Sequence, residues 1–157
     1  MNKISNPKDF DKSSESGISI DTVQMILKKI LETPKEFSVL PKIKRLFNSW
    51  TELIKSNKID WSLAELMAYS SILVEGNNVR MSGQDVKRGT FSHRHAILFD
   101  EKTNEEYNRL SNLSENQGQF LIYNSLLSEF AVLGFEYGYS LASPKHLVLW
   151  EAQFGDF

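Results

Sequence analysis

The sequence predicts an α/β fold in which helices cover a mostly parallel sheet. Three segments with the periodicity of helices occupy the chain before residue 77, and after it short apolar segments alternate with one further helical segment. The last apolar segment, KHLVLWEA (145–152), is a continuous run of the kind found in strands buried on both faces of a parallel sheet. Together these patterns indicate layers of helices packed on a sheet.

The composition is that of one globular domain. The chain has 157 residues, of which 41% are hydrophobic and 24% charged, and its net charge of −2 gives no reason to expect a nucleic acid or an anionic membrane as partner. The absence of cysteine excludes disulfides, a thiol nucleophile and zinc–thiolate sites. No apolar run could span a bilayer, and the first residues lack the hydrophobic core of a signal peptide, so we expect a cytoplasmic, bacterial protein.

The first third of the chain predicts a lead-in followed by helices. Polar residues dominate 1–18, which we expect to be flexible, and 19–59 read as a helical linker. We expect the first helix to have Asp21 as its N-cap and to stop at Pro34. Its apolar face consists of residues spaced three and four apart: Val23, Ile26, Leu27, Ile30 and Leu31.

Two more helices follow. PKIKRLFNSWTELIKSN (41–57) begins with Pro41, a residue suited to the first turn of a helix. WSLAELMAYSSILVEG (61–76) follows Asp60, ends at Gly76 and is apolar on most sides, which predicts burial on more than one face.

The second half of the chain predicts strands. NVRMSGQDV (78–86), HAILFDE (95–101) and QFLIYN (119–124) are short apolar segments with the length of strands. Neither a glycine-rich phosphate loop nor the G-x-S-x-G turn of serine hydrolases is present.

SEFAVLGFEYGYSLA (128–142) predicts a helix with Ser128 as its N-cap and Glu129 as its first residue. Gly134 and Gly138 lie on one face and cost about 1 kcal/mol each relative to alanine, so we expect a close approach to another backbone, or tight packing on the sheet, to offset them. A glutamate in a first turn is most often only a favourable partner of the helix dipole. Periodicity alone therefore assigns Glu129 no catalytic role.

A polar cluster occupies GQDVKRGTFSHRHA (83–96). His93 and His95 would point the same way on a strand, but the positive charges of Arg88 and Arg94 argue against a metal site. Two interpretations stay open from the residues alone. The imidazoles are hydrogen-bonded to Asp85 or to backbone, or they serve in binding or proton transfer.

Three strings resemble the thiamine-diphosphate-dependent component of 2-oxoglutarate dehydrogenase: RMSGQDVKRGTFSHRHAILFDEKT (80–103), LSEFAVLGFEYGYSLASP (127–144) and LVLWEAQFGDF (147–157). The resemblance extends over about 21–157. It implies a three-layer α/β/α thiamin-diphosphate-binding fold, with a transketolase-like pyrimidine-binding domain at 60–157 that is incomplete at its C-terminus. It further implies oxidative decarboxylation of 2-oxoglutarate and succinyl transfer to lipoamide in the tricarboxylic acid cycle.

The resemblance also implies roles for residues that match its motifs. Glu129 matches the carboxylate that faces the 1′ nitrogen of the cofactor's aminopyrimidine. Phe157 matches the aromatic residue that stacks on that ring, Gln153 lines the same pocket, and Phe154 is a weaker candidate for stacking. Gln84 is expected next to the active site with its exact role open; in relatives acting on pyruvate this position is often a glutamate, and Gln84 cannot relay a proton as an acid.

Four further residues are weaker candidates for the site. His93 and His95 match the family's His-Arg-His string and are expected next to the active site, and Tyr123 and Asn124 are the least supported. No resident metal is expected on this chain, because the resemblance places magnesium and the diphosphate on a domain absent from it.

The implied partners are 2-oxoglutarate, the dihydrolipoamide succinyltransferase component and a second copy of the enzyme. We expect the chain to be a fragment that is inactive by itself. A free-standing pyrimidine-domain subunit and a non-catalytic assembly module remain as alternatives.

Overall fold

The computed structural model describes residues 6, 8, 11, 13, 15–126 and 128–152. The predicted flexible lead-in at 1–18 therefore lies largely outside the described residues. The helices and strands are, in chain order, α1 (Ile20–Lys29), α2 (Pro41–Lys55), α3 (Trp61–Val74), β1 (Val79–Gly83), β2 (Ile97–Phe99), β3 (Glu106–Asn108), β4 (Phe120–Asn124), α4 (Glu129–Ala142) and β5 (Leu147–Glu151).

The central sheet is parallel, as predicted. Its order is β4-β1-β5, and the last residues of the three strands, Asn124, Gly83 and Glu151, lie level with one another. A separate antiparallel pair joins β2 to β3, and β3 was not predicted because its sequence, EYN, is short and has no apolar alternation.

Helices cover both faces of the sheet, because successive side chains of β1 point to opposite faces. Val79 and Met81 are buried in the core that includes Leu63 and Leu66 of α3. Arg80 points the other way and is paired with Glu136 of α4. The predicted α/β/α layering is confirmed.

The main core lies on the α3 face. Residues of α1, its C-cap, α2 and α3 reach zero exposure there: Ile26, Ile30, Trp50, Leu63, Leu66 and Leu73. Arg109 is buried among them, with its guanidinium 4.7 Å from the centre of the Phe47 ring and 5.0 Å from that of Trp50. Its Nε donates to the carbonyl of Ile30 at 2.9 Å, and burial lowers the pKa of Arg109 to about 9. The hydrogen bonds from Arg109 to the Ile30 carbonyl therefore hold the end of α1 against the rest of the domain.

The boundaries of α1 differ from the prediction at both ends, and the helix ends at Lys29 rather than at Pro34. The N-cap of α1 is Ser19, whose side chain accepts the N–H of Thr22, so the prediction of Asp21 as N-cap was wrong. The hydroxyl of Ser19 already satisfies that first-turn donor, and Asp21 lies inside the first turn. Pro41 begins α2, and Asp60 caps α3 by accepting the N–H of Leu63, both as expected.

Strand β5 is half-buried along its whole length rather than buried on both faces. In the described sheet it is an edge strand that pairs with β1 alone, so one side has no neighbouring strand to cover it. The prediction of complete burial was wrong for that reason.

Glu136 is the one buried residue of helix α4 among those described, and it pairs with Arg80 of β1. A side chain at Gly134 or Gly138 would meet nothing within 4 Å, so the predicted close approach is not made by the described residues. Within the described part of the chain these glycines therefore do not serve packing on the sheet. No helix in the described part of the chain is long and apolar enough to cross a membrane.

Candidate functional site

The carboxyl edge of the sheet brings together the segments that sequence analysis singled out. Ligands of α/β proteins bind in the crevice outside the carboxyl ends of the strands. The segment after β1 begins with Gln84, the segment after β4 leads to Ser128 and Glu129, and β5 ends at Glu151. Because the three strands end level, these side chains share one edge.

Gln84 and Glu129 are directly joined. The amide Nε2 of Gln84 donates to Oε1 of Glu129 at 3.0 Å, although the two residues lie 45 positions apart in the chain. Both side chains are half-buried. Glu129 begins α4, and Ser128 is its N-cap as predicted, but the Ser128 side chain makes no capping hydrogen bond. The carboxylate is thus held at the helix start by an amide from the neighbouring strand end.

Close backbone packing fixes the start of the segment after β1. Gly83 has φ +153°, and a Cβ there would come within 2.4 Å of the carbonyl oxygen of Glu151. Its own carbonyl accepts the N–H of Ser125 at 2.8 Å, and the Asn124 side chain accepts the N–H of Lys87 at 3.1 Å. The residue before Gln84 therefore has to be glycine, and the ends of β1 and β4 are tied together.

Arg94 connects this edge to α3. Its side chain is 1% exposed and donates to Glu65 of α3, to Glu151 at the end of β5, and to the carbonyl of Val86 at 2.9 Å. Burial acts to lower the pKa of Arg94, but the hydrogen bonds from its guanidinium to Glu151 and Glu65 outweigh burial and leave that pKa above the usual range. Arg94 is thus an internal counter-ion for two carboxylates.

The two histidines do not lie on a strand. Ser92 and His95 have φ of 55° and 43°, so the segment is a tight loop and the spacing of two does not align the rings. His95 is buried and its Nε2 lies 2.9 Å from the Ser92 hydroxyl and 3.1 Å from the Ser92 carbonyl. Burial, together with the nearby Lys42, lowers its pKa to about 4. These contacts agree with the interpretation in which the His95 imidazole has a structural role and is hydrogen-bonded to backbone.

His93 faces Glu65, with its Nε2 3.8 Å from a carboxylate oxygen. Its ring lies against Gly89, where a Cβ would come within 2.4 Å of the ring carbon Cε1. Asp85 contacts neither imidazole and is paired with Arg88 instead. Among the described residues no group of three histidine, aspartate or glutamate side chains could hold a metal ion.

The remaining candidates divide into two groups. Gln153, Phe154 and Phe157 lie outside the described residues. Tyr123 lines a cavity of about 300 Å³ between β1, β4 and α4, and its ring centre lies 4.9 Å from the guanidinium of Arg80.

Sequence analysis missed the ion pairs around the site. Arg80 donates through Nε and Nη2 to the two oxygens of Glu136 at 2.7 and 2.8 Å. The one available signal is the position of Arg80 inside an apolar strand, where a charge requires a partner. Nothing in the pattern identified that partner 56 residues away.

Residues 57–157 match the family described as "Transketolase, pyrimidine binding domain". The chain belongs to this family. It is also 51% identical over 143 residues to the 2-oxoglutarate dehydrogenase E1 component of Rickettsia felis, covering 90% of this chain and 15% of that protein.

Two further relatives agree with this assignment. The mitochondrial 2-oxoglutarate dehydrogenase of Caenorhabditis elegans is 47% identical over 147 residues, which are 93% of this chain and 14% of the relative. The E1 component of Brucella ovis is 46% identical over 150 residues, which are 95% of this chain and 15% of the relative. These matches confirm the resemblance to that oxidoreductase family, and this chain spans about 15% of the length of these relatives.

Proposed function

We propose that the chain supplies the aminopyrimidine-binding part of a 2-oxoglutarate dehydrogenase decarboxylating component, and that Glu129 is its catalytic residue. The observation that carries the proposal is the hydrogen bond between Gln84 and Glu129 at the carboxyl edge of the sheet. Ligands of α/β proteins bind outside the carboxyl ends of the strands, and at this edge the aminopyrimidine of the proposal would meet the Glu129 carboxylate.

The arrangement of Glu129 fits that task. One carboxylate oxygen accepts from Gln84, and the other has no hydrogen-bond partner among the described residues. A carboxyl group oriented in this way can exchange a proton with a ring nitrogen placed against its second oxygen. Thiamine diphosphate, when bound, supplies a carbon nucleophile for attack on the 2-oxo group.

Gln84 acts as a positioning residue in this proposal. A side-chain amide donates hydrogen bonds but does not act as an acid at physiological pH, so proton exchange at the pyrimidine is assigned to Glu129 alone. Gln153 and Phe157 complete the pocket, Phe157 by stacking on the ring, with Phe154 as a weaker contributor. The proposal keeps His93 and His95 as neighbours of the active site and assigns them no chemical step.

The wider proposal concerns the complete enzyme. It takes 2-oxoglutarate, passes the succinyl group to the lipoyl group of a dihydrolipoamide succinyltransferase component, works as a homodimer and lies in the bacterial cytoplasm. The domain at 60–157 is a part of that enzyme, and magnesium and the diphosphate are held elsewhere. The support is the similarity to E1 components from two bacteria and the small share of their length that this chain covers.

A chimeric enzyme tests the proposal. The matching segment of the Rickettsia felis E1 component is replaced by this chain, and 2-oxoglutarate-dependent reduction of ferricyanide is measured. We expect the chimera to retain activity and Glu129→Gln in it to lower kcat by about 100-fold or more, the usual contribution of acid–base catalysis.

Glu115→Gln is the matched control, because Glu115 is an exposed carboxylate outside the site. It should leave kcat unchanged. A chimera whose Glu129→Gln variant turns over at the parental rate would contradict the role of Glu129. A folded chimera without any activity, as judged by circular dichroism and gel filtration, would contradict the assignment of the chain to this enzyme.

A further inference from the structure

A second cavity lies between the start of α2 and the loop that precedes β2. Its volume is about 250 Å³, and neither Gln84 nor Glu129 lines it. Three of its lining residues carry basic side chains, namely Lys42, Arg88 and His95. The others are apolar: Leu40, Ile43, Ile97, Leu98 and Phe99. The cavity is thus an apolar space bordered by three basic side chains.

Positive charge exceeds negative charge around this cavity. No carboxylate is among its lining residues, and Lys42 makes no ion pair within the described residues; its Nζ donates to the Ser92 hydroxyl at 2.6 Å. Arg88 is paired with Asp85, which offsets one charge. Arg109, behind His95, is buried and donates to the His95 carbonyl at 3.2 Å without a carboxylate partner in the described chain. Two cations are therefore left uncompensated.

His95 experiences this excess directly. The groups that face it are Lys42 from α2, Arg88 and Ser92 from its own loop, and Arg109 from the segment after β3. Burial, then Lys42, Arg109 and Arg88, lower the pKa of His95 to about 4, and only the hydrogen bond with the Ser92 backbone acts in the opposite direction. The imidazole is neutral at physiological pH because of its burial and these cations, and an added anion would offset the effect of the cations.

We propose that this cavity binds a small organic anion, with its carboxylate or phosphate group held by Lys42 and Arg88 and its apolar body against the apolar lining. The volume lies below the usual range of about 300–1,000 Å³ for pockets that hold drug-sized ligands, so the ligand is smaller than these. Arginine and lysine are the side chains that best pair with carboxylate and phosphate groups. This site is independent of the function proposed for Glu129.

The Ser92 hydroxyl gives the site a measurable response. It contacts both the Lys42 Nζ and the His95 Nε2, so a ligand that draws Lys42 away changes the hydrogen bonding of the imidazole. A bound negative charge beside His95 also raises its pKa, and protonation of His95 in turn strengthens binding as the pH falls.

The test is nuclear magnetic resonance of the imidazole signals of the full chain, with three probes: benzoate, phenyl phosphate and inorganic phosphate. We expect a saturable shift of the His95 signals with at least one organic probe, and a rise in the pKa of His95 when that probe is bound. Benzoate and phenyl phosphate distinguish a carboxylate site from a phosphate site. Lys42→Met should weaken binding about tenfold, as expected for loss of a charge-assisted hydrogen bond.

Lys44→Met is the matched control, because Lys44 lies on the same helix, is exposed and does not line the cavity. It should bind the probe like the parent chain. The proposal is overturned if neither organic probe gives a saturable shift, or if Lys42→Met binds as tightly as Lys44→Met in a chain whose spectrum shows the native fold. Equal binding of inorganic phosphate and phenyl phosphate would overturn the part assigned to the apolar lining.

Discussion

The two faces of the central sheet are covered in different ways. On one face α1, α2 and α3 bury large apolar side chains such as Trp50, Leu63 and Leu66 to zero exposure. On the other face α4 buries only Glu136 among the described residues, while Phe130 is 93% exposed. The α3 face is therefore stabilised mainly by the hydrophobic effect and the α4 face mainly by a charge pair. The candidate site lies at the edge where the two faces meet.

Each face also contains an arginine paired with a carboxylate, and these two arginines, Arg94 and Arg80, differ in their surroundings. Arg94, on the α3 face, is 1% exposed and bonds to two carboxylates from different elements. Arg80, on the α4 face, has a side chain that is 13% exposed, bonds to Glu136 alone among the described residues and lies 4.7 Å from the Tyr139 ring centre. Loss of Arg94 should therefore affect the whole domain, and loss of the Arg80 pair mainly one helix.

The largest expected effect is that of Arg94→Leu. Removing the arginine leaves Glu65 and Glu151 without their counter-ion in a partly buried position, and breaking such a pair costs about 3–5 kcal/mol. Urea unfolding followed by circular dichroism measures the loss. Arg88→Leu is the control, because its pair with Asp85 is exposed and worth at most about 1 kcal/mol. Equal losses in the two variants would show that Arg94 has no special part in the fold.

Local patterns predicted the elements but not the connections between distant ones. Helices α2 and α3 were predictable from Pro41 and Asp60 at their starts and from the apolar spacing that follows. The pairing of Arg94 with Glu151 spans 57 residues and depends on the level ends of three parallel strands. Sequence periodicity carries no information on such a contact, because it depends on strand order rather than on local pattern.

The candidate site shows the same division. The resemblance identified Glu129 and Gln84 separately, and the structure adds the hydrogen bond between them. The glycines of α4 misled the prediction for a physical reason. They indicate that space is needed beside the helix, but not what fills it, and in the described chain that side is open.

An intermediate effect is expected for Glu136→Gln. The amide keeps the shape of the side chain but loses its charge, which weakens both bonds from Arg80 and costs about 1–3 kcal/mol. The loss should be local: amide hydrogen exchange should become faster in α4 and stay unchanged in α1 and α3. Tyr137→Phe serves as control, because Tyr137 is 65% exposed on the same helix.

Faster exchange spread equally over all four helices would contradict this localisation. It would mean that both faces of the sheet open as one cooperative unit, in spite of their different packing. Exchange that accelerates in α4 alone would establish that the Arg80–Glu136 pair, rather than apolar burial, holds the helix on the sheet.

The smallest effect on stability is expected for Phe130→Ser. Because the side chain is 93% exposed, its removal should change the free energy of unfolding by less than about 0.5 kcal/mol, whereas Leu66→Ala on the other face should cost about 2–5 kcal/mol. Phe130, Leu133, Tyr137 and Leu141 are spaced three and four apart on α4 and are all exposed, so they form an apolar face of the helix, and such surfaces promote association. Sedimentation velocity of the chain should therefore show less self-association for Phe130→Ser, with the unfolding midpoint unchanged. If the midpoint fell as far as in Leu66→Ala, Phe130 would have to be packed in solution, and the contrast between the two faces would not hold.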